Sequence, residues 1–150
     1  MSQMAFSEMR WPKARASRLQ TLLAALDRSV DWLAIARALE EHFPKPGRGR
    51  QPVPLAAMIR ICALAWVFSA NERQIEDLLI DSPAACRFCR LDDSQGRPPD
   101  SETVANFRRR LEALGLDGRI PNAIEKDLAA RGVVLTPGEI REPRWHGPRQ

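Results

Sequence analysis

Three arginines stand side by side at Arg108, Arg109 and Arg110, inside the segment PDSETVANFRRRLE that runs from Pro99 to Glu112. Two more, Arg48 and Arg50, sit with Lys45 in a stretch broken by Pro44, Pro46, Gly47 and Gly49. A further basic group, Arg10, Lys13, Arg15 and Arg18, lies near the N-terminus. A guanidinium presents a planar fork of donors that fits phosphate oxygens, and charges on a glycine-rich segment can approach a phosphate backbone closely. The chemistry these residues could do is therefore anion binding, above all along a nucleic acid. A plainer reading stands beside it. Arg48 and Arg50 would serve equally as solubilising surface, and Lys13 and Arg15 as part of a solvated helix face.

Other chemistries find less support. Cys86 and Cys89 form a lone CxxC, whereas a structural zinc site needs four ligands, usually from two such pairs. Cys62 falls inside an apolar helix, and His42 and His146 have no ligand spacing to any cysteine. Packed or partly exposed thiols are expected, with no metal site. Glu76 and Asp77 are adjacent in sequence, so they do not share a helix face. They are read as a solvated edge or an ion pair to Arg73. No phosphate-cradling GxxxxGK[ST], no HExxH and no Ser-His-Asp arrangement occurs. Trp32 and Trp66 are read as core rather than as stacking platforms.

The chain has 150 residues, a length that suggests one domain able to bury a substantial core. Its net charge of +4 and sequence pI near 9.5 favour an anionic partner, nucleic acid before membrane. No apolar run approaches the ~20 residues of a membrane span. The longest candidate, Pro54 to Phe68, contains Arg60 and reads as a core helix. The N-terminal MSQMAFSEMRW lacks a hydrophobic signal core, and three cysteines are an odd number for a disulfide framework. The expectation is a cytoplasmic protein with reduced thiols and no membrane partner.

The elements that must position the arginines are nearly all helices. The pattern predicts an all-α fold: a multi-helix bundle over residues 10–132 with a helix-turn-helix-like part, a loose arm at 1–9, and a tail of disordered character. Leu19, Leu22, Leu23 and Leu26 space a helix from about Trp11. Asp31 caps a second, with the stripe Trp32, Ile35, Ala36, Leu39 and Phe43. Pro54 opens a third that is apolar almost all round and so belongs at the centre. Asn71 and Gln74 form a capping box for a fourth, whose core face is Ile75, Leu78 and Leu79. Ser82-Pro83 starts a short fifth, carrying Arg87, Phe88 and Leu91. Asp100 or Ser101 caps the helix that holds the arginines. Val104, Phe107, Leu111 and Leu114 form its apolar stripe, with Arg109 turned away from it and Arg108 and Arg110 on its flanks. Gly115 ends that helix, and a last one spans about Pro121 to Arg131, with Ile124 and Leu128 inward and Gly132 as its stop. Val133 to Leu135 then read as a strand-type run with no partner elsewhere in the chain. Arg141 to Gln150 are rich in Pro and Arg without periodicity.

In order and spacing, FPKPGRGRQPVPLAAMIRI (Phe43 to Ile61), IEDLL (Ile75 to Leu79), RFCRL (Arg87 to Leu91), PDSETVANFRRRLE (Pro99 to Glu112) and GVVLTPGEI (Gly132 to Ile140) resemble the N-terminal half of an IS5-type insertion-sequence transposase. The resemblance covers about Trp11 to Ile140. It implies a helical part that binds the terminal inverted repeats of the element. It also implies a C-terminal RNase H-like domain that cuts and joins DNA with a carboxylate triad and divalent metal. Where the family carries its first catalytic aspartate, this chain has Arg141-Glu142-Pro143, and no aspartate follows Asp127. No catalytic residue is carried over, no cofactor is expected here, and the metal would belong to the catalytic domain. Residues 133–150 would be the lead-in to that domain. Pro121 departs from the family pattern, which continues a helix there.

The expected function is thus that of a DNA-binding transposase fragment, not an enzyme on its own. Arg48, Arg50, Arg108, Arg109 and Arg110, with Lys13 and Arg15, would contact double-stranded DNA. Alternatives are a dimerisation module that joins itself or inhibits full-length transposase, and a degenerate gene product.

Overall fold

Short polar side chains set most of the helix starts. Ser17 accepts the Gln20 N–H at 3.1 Å, and Gln20 Oε1 accepts the Ser17 N–H at 2.9 Å, a capping box that opens α1 (Arg18–Ser29). Asp31 opens α2 (Trp32–Glu40) by accepting the Ala34 N–H at 3.1 Å. Pro54 precedes α3 (Leu55–Phe68), which has no side-chain cap. Asn71 and Gln74 form a second capping box at α4 (Glu72–Asp81), with bonds of 2.8 and 2.9 Å. Ser82 caps α5 (Pro83–Phe88), and Asp100 caps α6 (Ser101–Ala113) through the Thr103 N–H at 2.8 Å. Gly118 precedes α7 (Arg119–Ala129). Each side-chain cap satisfies a backbone donor that the first helical turn leaves without a partner. This computed structural model describes residues 17–43, 53–91, 98–135 and 145–146. The all-α expectation holds, with seven helices among the described residues.

α3 is the centre. Eleven of its residues are buried, among them Ile59, Ile61 and Leu64, and it packs against α2, α4, α6 and α7. The chain leaves it through Ser69, which adopts the left-handed conformation (φ 48°), and turns by 108° into α4. A three-residue turn between helices at that angle is helix-turn-helix geometry, as expected. No single described helix is long and apolar enough to cross a membrane. Gly115 (φ 70°) closes α6 with the Leu116 N–H bonded to Leu111 O at 2.8 Å, and Gly132 (φ 71°) follows α7.

Among the described residues the buried polar side chain is that of Arg60, 7 % exposed on α3. Its guanidinium donates to Asp27 Oδ1 of α1 at 2.7 Å and to the Phe88 carbonyl at the end of α5 at 3.0 Å. It also lies 4.5 Å from the Trp32 ring centroid and 5.0 Å from that of Phe88. The two rings meet edge to face at 5.6 Å. Arg90, itself left-handed at φ 61°, reaches the same Asp27 oxygen at 3.2 Å. One cation therefore joins α1, α2, α3 and α5.

Several expectations are corrected. α1 begins at Arg18 rather than near Trp11, because Ser17 is already extended and serves as the cap. Leu114 is 40 % exposed, and Leu116 takes the buried place beyond the α6 turn, since the chain reverses at Gly115. Pro121 falls in the first turn of α7, where a missing N–H costs no helical bond, so the helix accommodates it. Glu76 neither lies free nor pairs with Arg73. Its Oε1 accepts the Ser101 N–H at 2.5 Å, which binds α4 to the start of α6. The strand run is not alone: Val134 and Leu135 pair antiparallel with His146 and Trp145. The rest of the tail, 136–144 and 147–150, and the arm at 1–9 lie outside the described residues.

Removing the Arg60 side chain leaves Asp27 and the Phe88 carbonyl short of a donor. Breaking a buried pair costs roughly 3–5 kcal/mol. Asp27 is 39 % exposed, so water offsets part of this, and Arg60→Ala is expected to lose about 2–3 kcal/mol in urea unfolding. Arg60→Lys should recover only a minor part, because an ammonium lacks the planar fork that serves two acceptors while stacking on two rings.

Candidate nucleic-acid interface

The helix that carries the arginine triplet is held from three sides. Asp100 and Glu76 fix its N-terminus, Val104 and Leu111 bury its inner face, and Phe107 packs on Phe43 with ring centroids 5.0 Å apart. It lies on α3 and α4. Helical rotation then gives each arginine a different surrounding.

Arg108 turns toward α4 and meets Glu72 Oε1 at 3.2 Å, both side chains about a third exposed. Arg109 is exposed and bonds along its own helix, to Glu102 at 3.3 Å and to the Asn106 side-chain oxygen. Arg110 folds back to the end of α2, donating to the His42 carbonyl at 3.3 Å and lying 5.6 Å from the Phe43 ring centroid. The expected arc is therefore present, with Arg109 outermost. What the pattern missed is that its two flanking members each bind another element. A largely solvent-accessible ion pair such as Arg108–Glu72 is worth roughly 0–1 kcal/mol, so a phosphate can take over the Arg108 guanidinium at small cost.

Arg48, Arg50, Lys13 and Arg15 lie outside the described residues. In sequence the first two follow Phe43, against which Arg110 and Phe107 pack.

The helix-turn-helix geometry of α3 and α4 suggests α4 as the DNA-facing helix, but its charge argues against it. α4 carries Glu72, Glu76, Asp77 and Asp81 against a single Arg73. Such a surface repels phosphate. α6 instead carries three adjacent arginines, Arg108, Arg109 and Arg110, against Glu102 and Glu112, and so has a cationic balance where α4 has an acidic one.

The thiols are structural in character. Cys62 and Cys89 are buried, and the half-buried Cys86 donates to the Leu79 carbonyl at 2.9 Å. Burial pushes the Cys62 thiol up from its ordinary 9.0 to about 12, with Arg108 pulling the other way and Glu72 adding to the rise. Burial raises Cys89 as well, against the pull of Arg60. Among the described residues no group of three or more His, Cys, Asp or Glu side chains is placed to hold a metal ion.

A family model described as a transposase domain (DUF772) matches residues 12–110, from just before α1 to the last arginine of the triplet. No solved structure matches the chain.

The buried thiols have a consequence for alkaline stability. A thiol raised in the folded state stays protonated there while the unfolded chain loses its proton above about pH 9, so unfolding becomes easier as pH rises. The stability that Cys62 contributes is complete below pH 9.0 and is lost on the way to about 12. Urea midpoints taken at pH 7, 9 and 10.5 should fall, and should fall less steeply in Cys62→Val. Equal slopes would show that Cys62 does not retain its proton.

Proposed function

We propose a DNA-binding role for this chain, which belongs to the transposase-domain family (DUF772) over residues 12–110. Its target is double-stranded DNA at the ends of a mobile element. The ordered motifs from Phe43 to Ile140 favour the IS5 type within that family. The observation that carries the reading is the placement of Arg108, Arg109 and Arg110 around the solvent side of α6. Lys13 and Arg15 add cations ahead of α1.

The role assigned to the helices described above is binding. Asp127 accepts the Asp31 N–H at 2.8 Å and so caps α2 from α7, a structural use of that carboxylate. Strand cutting is assigned to the catalytic domain of a full-length transposase, with its divalent metal.

Gel-shift titration against the element's own ends and a scrambled duplex tests this. Each arginine that contacts a phosphate releases counterions on binding, so the slope of log affinity against log salt should shrink by about one for each of Arg108→Ala and Arg110→Ala. Equal affinity for the scrambled duplex would rule out recognition of the ends. An unchanged salt slope in both variants would remove α6 from the interface.

A further inference from the structure

The three arginines differ in a way that separates holding from reading. Arg108 and Arg110 bind α4 and the end of α2, on the two flanks of α6. Arg109 bonds only to side chains of α6 itself among the contacts above, and these stand on one line: Glu102, Asn106 and Arg109, at i, i+4 and i+7. Residues at that spacing lie above one another on successive turns. All three are exposed, with Arg109 and Glu102 side chains 62 % and 74 % accessible, and the ridge faces away from buried Val104 and Leu111.

We propose that this outer ridge of α6 lies in the major groove of duplex DNA, where Asn106 and Arg109 read base edges while Arg108 and Arg110 hold the helix from its flanks. The proposal rests on the DNA-binding reading above and adds to it which helix enters the groove and which groups discriminate sequence. The major groove admits an α-helix, a side-chain amide matches the paired donor and acceptor of adenine, and a guanidinium fork matches the two acceptors of guanine. Asn106 and Arg109 are three residues apart, a rise of about 4.5 Å. That is one to two base-pair steps of about 3.4 Å, so the two address neighbouring pairs.

Glu102 and Asn106 accept from the Arg109 fork along the helix axis, so the three polar groups stand together on one exposed line. Glu102 contributes a second kind of discrimination. Its carboxylate repels phosphate but can accept from a cytosine amino group, so it favours insertion at the base edges over resting on the backbone. The inner face is locked by the core and the helix start by Asp100 and Glu76, so the ridge has a fixed position on the protein.

The test is selection from a randomised 30-base-pair duplex pool with the full 150-residue chain, followed by titration of the enriched and the unselected duplexes. The wild-type chain should enrich a motif. Asn106→Ala and Arg109→Lys should each weaken binding to it by about tenfold to a hundredfold, while affinity for the unselected pool stays within a factor of two or so. Arg109→Lys keeps the charge and loses the fork, and both positions are exposed, so folding does not confound the result. Equal loss on both duplexes would overturn base reading by this ridge while leaving DNA binding intact. A chain that shifts no duplex at all would overturn the DNA-binding reading itself, and this inference with it.

Discussion

A charged side chain inside a protein must find partners for its donors, because an unpaired buried ion costs several kcal/mol. Arg60 imposes that condition on this fold. It stands on the most apolar helix of the chain, and its requirements are met by an acid from α1, a ring from α2, and a ring and a carbonyl from α5. None of these helices exceeds 12 residues, a length at which an isolated helix is marginal in water. α2 packs on α3 and α1 packs on α5, and the guanidinium ties these two pairs to each other. Arg90 completes the arrangement from outside by sharing Asp27, at the expense of a left-handed backbone.

Away from that junction the helices are fastened by a second device, in which one helix caps another. Asp127 of α7 accepts an N–H at the start of α2, and Glu76 of α4 does the same at the start of α6. A carboxylate at a helix N-terminus satisfies a free donor and meets the positive end of the helix dipole. These bonds connect residues 96 and 25 positions apart. They convert a local need of each helix into a statement about where another helix must lie. The orientation of α6, and so of its arginines, follows from the Glu76 bond together with the Phe43–Phe107 contact.

The division between what was legible in the sequence and what was not follows range. Asp31, the Asn71–Gln74 box, Ser82-Pro83, Asp100 and Gly115 act over one turn, and each was readable from its neighbours. Periodicity likewise identified Ile75, Leu79, Val104 and Leu111 as inward. Glu76 was misread because its partner is a backbone N–H on another helix, and nothing in an acidic pair announces that. The same holds for Val134–Leu135, whose partner comes from a segment without strand periodicity. Within the candidate site, the arc covered by Arg108, Arg109 and Arg110 came from rotation per residue alone. Their different attachments did not, because Glu72 and His42 are brought beside α6 by tertiary packing. Asn106 was overlooked for a related reason: a lone amide in a helix means little until its neighbour on the ridge is known to be a free-facing arginine.

The Arg60 junction also gives this molecule an optical gauge. The chain contains four tryptophans and no tyrosine, so its near-ultraviolet absorption and emission come chiefly from indole. Trp32 carries a guanidinium on one face and a phenyl edge beside it, and its buried indole N–H finds no acceptor among the described residues. An excited indole responds to a fixed charge and to access of water at its nitrogen. Loosening of α1, α2 and α5 from one another therefore registers in the colour and intensity of this fluorophore while the helices themselves remain intact.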